Sequence, residues 1–114
     1  MTPGRYNMVC PQGATFGQIL SYSSGGFPVD LTDRTARMQV RVKHSSTSSI
    51  LSLTTENAGI TLGGPAGTIN IVIDASTTSG LTPKEYVYDL EVVNNSDVTR
   101  LIEGKFIVTP EVTK

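Results

Sequence analysis

The chain has 114 residues, a length for one domain and one core. Its 17% charged residues and net charge of −1 leave no basic stripe for phosphates, which excludes a nucleic-acid partner. The single cysteine, Cys10, and single histidine, His44, exclude an internal disulfide and a Cys/His metal cluster. They point to folding in a reducing compartment.

Apolar residues recur with a period of two along most of the chain. Tyr6, Met8 and Cys10 alternate with Asn7 and Val9 before the break at Pro11-Gln12-Gly13. Thr15 to Tyr22 reads as a second strand, with Phe16, Gln18 and Leu20 on one face. Ser23-Ser24-Gly25-Gly26 is a turn cluster. In Pro28 to Asp33, Val29 and Leu31 form an apolar pair while Asp30 and Thr32 serve turn amides. The clearest strand follows: Ala36, Met38, Val40 and Val42 inward, Arg37, Gln39, Arg41 and Lys43 outward. After the polar loop Ser45 to Ser49, short strands are expected over 50–54 and 60–62. Gly63 to Gly67 breaks the pattern, and Ile69, Ile71 and Ile73 mark the next strand. One short helical turn near residues 75–81, capped by Ser76 or Thr77, precedes a strand over 85–93. That strand turns Tyr86, Tyr88, Leu90 and Val92 inward. Asn94 to Asp97 is a hairpin turn, and the last strand runs from Val98 to about Val108. The spacing of strands and turns predicts an all-β antiparallel sandwich of about 7–9 strands, spanning 1–114 as a single domain. Extended segments are expected at 1–4 and 109–114, each carrying a proline. The opening Met-Thr-Pro-Gly-Arg-Tyr has no apolar stretch of the signal-peptide kind. No apolar run is long enough for a membrane span.

Candidate chemistry is sparse. His44 stands alone at a strand end, and Cys10 sits on a strand as a small buried hydrophobe would. Gly63 to Gly67 lacks the Lys-Ser/Thr of a phosphate loop. Asp89 and Glu91 share a strand face, a spacing that suits paired carboxylates, an oxygen-ligand cation or cross-strand ion pairs. The expected ion-pair surface consists of Asp89, Glu91, Arg37, Arg41 and Arg100, with Lys105 a further candidate partner. No catalytic residue, cofactor site or metal site is assigned.

Three stretches carry a resemblance. They are Gln12 to Phe16 (Gln-Gly-Ala-Thr-Phe), Val29 to Arg41, and Tyr86 to Glu91 followed after a turn by Val98 to Thr113. In this order and spacing the chain resembles a family of small virion structural proteins of tailed bacteriophages and prophages. The resemblance implies an immunoglobulin-like sandwich in the tail or baseplate region, assembled in the host cytoplasm. It implies contacts with other virion proteins in a symmetric homo- or hetero-oligomer. Decoration of the capsid is the nearest alternative, and a carbohydrate- or cell-surface-binding module is the alternative of another class. Relatives often carry glycine and then an aromatic after Leu31-Thr32. Here Asp33-Arg34 stands there, so a differently shaped corner is expected.

Overall fold

A computed structural model describes residues 4–113. The Met1–Pro3 part of the expected N-terminal extension, and Lys114, lie outside the described residues. The strands in chain order are β1 (Gly4–Arg5), β2 (Met8–Pro11), β3 (Phe16–Ser21), β4 (Ser23–Ser24), β5 (Phe27–Pro28) and β6 (Thr35–Arg41). They continue with β7 (Leu51–Thr54), β8 (Ile60–Leu62), β9 (Thr68–Ile73), β10 (Glu85–Asn94) and β11 (Asp97–Thr109). A 3₁₀ turn covers Gly64–Ala66, and helix α1 covers Ala75–Ser79. Three of the eleven strands, β1, β4 and β5, have two residues each. The other eight fall inside the expected seven to nine.

Two sheets form the sandwich. The larger, six-stranded sheet runs β1–β11–β10–β6–β7, with β2 also paired to β11. The smaller runs β3–β9–β8, and β4 and β5 form a separate two-stranded ribbon. The orders β11–β10–β6–β7 and β3–β9–β8 reproduce the G–F–C–C′ and B–E–D orders of an immunoglobulin-like sandwich. β1 and β2 both join β11 in parallel; the remaining pairings are antiparallel.

Alternation explains the core. Ala36, Met38 and Val40 of β6, Ile69, Ile71 and Ile73 of β9, and Tyr86, Tyr88, Leu90 and Val92 of β10 are buried between the sheets. Phe16 meets Phe106 edge to face, with ring centroids 5.6 Å apart, and links the two layers. Burial of Cys10 raises its thiol pKa. Tyr86 forms the tyrosine corner of this fold class: its hydroxyl donates to the Thr82 carbonyl at 2.7 Å. Tyr88 stands two residues on, where domains of that class carry their second cysteine, and donates its hydroxyl to the Tyr6 carbonyl.

Four local expectations are corrected. The first strand divides into β1 and β2, with Tyr6 and Asn7 between them, because Asn7 Oδ1 accepts the Lys105 N–H at 3.0 Å instead of continuing the ladder. Val42 is 40% exposed, not inward, because β6 ends at Arg41 and the chain bends. Helix α1 is the short turn expected near 75–81. Its cap is Asp74, whose carboxylate accepts the Thr77 N–H at 2.9 Å, and not Ser76 or Thr77. Asp33, where the resemblance leads one to expect glycine, takes φ 62°, the left-handed region that glycine favours and aspartate tolerates.

Candidate functional site

The outer face of the larger sheet is built by the same alternation that fills the core. Arg37, Gln39 and Arg41 of β6, and Val87, Asp89 and Glu91 of β10, point away from the smaller sheet. The β6–β10 register sets Arg37 opposite Glu91, Gln39 opposite Asp89 and Arg41 opposite Val87. On the other side, β10 and β11 slip register between Leu90 and Glu91, so Glu91 faces Arg100 while Asp89 faces Glu103. Leu101 is the extra residue of this bulge.

These pairings decide the electrostatics. Arg37 Nε donates to Glu91 Oε1 at 2.7 Å, the closest ion pair on the face. Arg100 lies between two acids, 3.5 Å from Asp89 and 3.8 Å from Glu103. Arg5 reaches Glu103 at 3.7 Å, and Lys105 reaches Glu85 at 3.4 Å. Arg41 departs from expectation: with Val87 opposite, it meets no acid. It donates instead to Gln39 Oε1 at 2.6 Å and to the Ser46 carbonyl at 2.8 Å. The Asp89 carboxyl is pushed above the usual aspartate range, first by partial burial and then by Glu91 and Glu103; Arg100 and His44 oppose them.

Arg37, Arg41, Asp89, Glu91, Arg100 and Glu103 line an open concavity of about 480 Å³, with exposed His44 at its margin. Each of the four acids on this face has a cation within reach. Among the described residues, no group of three His, Cys, Asp or Glu side chains is placed to hold a metal ion. Glu103 and Arg5 belong to this network although sequence reasoning did not place them there. Strict alternation from Arg100 would have turned Glu103 to the inner face; the extra residue Leu101 brings it to the outer face, opposite Asp89.

The outer face of the smaller sheet differs in kind. β3, β8 and β9 contain no charged residue. Ile19 and Val72 are exposed on that face, at 65% and 42%. Phe27, in the β4–β5 ribbon, is 75% exposed. Beside β3, an apolar hollow of about 320 Å³ opens between Leu20, Tyr22 and Ile69 on one side and Gly4, Leu101 and Ile102 on the other.

Comparison with protein families finds no family model that matches, and no curated protein matches either. Among solved structures, the chain is similar to one described as a parallel homodimer of the extracellular domains of the voltage-gated sodium channel β4 subunit, with a role in cell–cell adhesion. The two share 11% identity over 98% of this chain and 97% of that one, with a TM-score of 0.46. The immunoglobulin-like fold rests on the strand order of the chain itself. No helix among the described residues is long and apolar enough to cross a membrane.

Proposed function

We propose that this domain is a non-enzymatic structural subunit of a tailed-phage virion, in the tail or baseplate region, acting through protein–protein contacts. One observation carries the contact half of this reading. Each acid of the charged face is matched to a cation inside the sheet, whereas exposed apolar side chains and backbone edges are left over. A domain with its surface acids paired internally and its apolar groups exposed is suited to be packed against. The phage half rests on the resemblance of Gln12 to Phe16, Val29 to Arg41, and the two C-terminal stretches. In a symmetric particle, individually weak contacts sum to a tight assembly.

Mass spectrometry of purified particles, with cross-linking, tests the reading. The expected result is this chain in stoichiometric amount, cross-linked to tail or baseplate subunits. Copy numbers on the order of hundreds, with links to the capsid shell, would move it to the capsid surface. Absence from the particle would overturn the proposal.

A further inference from the structure

The edges of the two sheets are not equally protected. β7 closes its own edge. In its register with β6, Leu51 and Leu53 face the ladder, so the polar backbone groups of Ser52 and Thr54 point outward. Asn57 covers them: its Nδ2 donates to the Ser52 carbonyl at 3.0 Å, and its Oδ1 accepts the Thr54 N–H at 2.9 Å. β8 has three residues, and β2 ends on Pro11. Short strands, a proline and a capping side chain are the usual means of blocking an edge.

β3 has none of them. It is six residues long, Phe-Gly-Gln-Ile-Leu-Ser, with no charge, proline or bulge. Tyr22 N–H donates to the Gly67 carbonyl at 2.8 Å, which fixes the phase of the β3–β9 ladder. Phe16, Gln18 and Leu20 therefore direct their N–H and C=O groups at β9, and Gly17, Ile19 and Ser21 direct theirs away from it. Among the described residues, no strand pairs with that outer side. An uncapped strand of this composition is a template for strand addition.

The sequence also indicates the occupant. Around Ile19 the outward-pairing residues read small, apolar, small: Gly17, Ile19, Ser21. Antiparallel pairing of two such strands about a two-fold axis sets Ile19 against Ile19 and Gly17 against Ser21, so that like meets like. No charge lies on β3, β8 or β9 to repel a second copy. The apolar hollow beside Leu20 and Tyr22 opens along the same side, where an added strand would shelter it.

We infer that two copies of this chain join through β3, antiparallel about a two-fold axis at Ile19, merging their three-stranded sheets into one. This deepens the contact half of the proposed function and is separable from the phage half. A chain absent from particles can still dimerise, and a monomer can still be a virion subunit.

Sedimentation equilibrium of the full chain up to about 1 mM, with amide exchange in the dilute and concentrated protein, tests it. The wild type is expected to dimerise. Ile19→Lys, which sets two ammonium groups face to face, is expected to weaken the dimer at least about tenfold. Val72→Lys, on the same face but one strand in from the edge, is expected to weaken it less. The amides of Gly17, Ile19 and Ser21 are expected to slow on dimerisation, a readout that needs no variant. A wild-type monomer throughout the range, a dimer indifferent to Ile19→Lys, or exchange at those three amides unchanged between monomer and dimer would each overturn the inference.

Discussion

Ala58 adopts φ 66° in the turn after β7, where its methyl group gains nothing. Left-handed backbone is costly for a residue with a Cβ. Ala58→Gly is expected to raise stability by about 0.5–1 kcal/mol in urea unfolding, the relief of strain exceeding the extra freedom of the unfolded chain. Asp89 carries a second prediction at this scale. A carboxyl raised in the folded state holds its proton more tightly there than in the unfolded chain. Its contribution to stability is complete below the ordinary aspartate range and lost as pH rises through the folded value. Asp30 and Asp74 run the other way. Hydrogen bonds from Thr32 and Thr77 hold them low, so their contribution is present above the ordinary range and lost as pH falls through their folded values. Asp89→Asn removes the opposing slope. Relative to the wild type, its stability is expected to gain with rising pH only above the ordinary aspartate range, from about pH 4 upward, measured by thermal unfolding. The pairing of Asp89 and Glu91 with arginines was legible because residues two apart on a strand share a face. The isolation of Arg41 was not, since it depends on the register that sets Val87 opposite it.

Among the elements, strands with strict alternation, β6 and β10 above all, were legible from period alone. Their boundaries were less so. Asp74 outcompetes Ser76 as a cap because a carboxylate one position before the helix accepts the free N–H groups of the first turn. The bulge at Leu101 left no mark in composition, since Leu101 and Ile102 are both apolar and either could have faced inward. Helix α1 is held by one buried hydroxyl. Thr78 is fully buried, and its Oγ1 donates to the Ala14 carbonyl at 2.8 Å. Thr78→Val keeps the shape and strands that carbonyl, so a loss of about 1–3 kcal/mol is expected in chemical denaturation. Gly104, opposite Tyr88 in the middle of β11, permits a close approach of the N-terminal segment. A Cβ there would lie 2.3 Å from the Tyr6 carbonyl, the same oxygen that accepts from Tyr88. Gly104→Ala is expected to cost about 1–3 kcal/mol and to loosen β1 and β2 from β11.

Over the whole molecule, the two faces divide the labour of the surface. The strands of the larger sheet hold five basic residues (Arg5, Arg37, Arg41, Arg100, Lys105) and five acidic ones (Glu85, Asp89, Glu91, Asp97, Glu103), while those of the smaller hold none. Composition gives only the total, which is nearly neutral and says nothing of the division. Tertiary assembly assigns the uncharged strands to one sheet and so creates a face with no electrostatic barrier to close approach. Immunoglobulin-type domains of secreted proteins often fasten their sheets with a disulfide. Here Tyr88 occupies that place and the Phe16–Phe106 contact bridges the layers, so the fold needs no oxidant to form.

The buried position of Cys10 turns β2 into something that can be timed. The thiol is fully enclosed, and among the described residues its strand pairs only with β11. A thiol-reactive dye added to the native protein can therefore react only during the moments when the strand lifts away. The rate of colour development becomes a clock for that one motion, separate from unfolding of the whole. Gly104→Ala should make the clock run faster, and a partner that clamps the N-terminal strands in place should slow it.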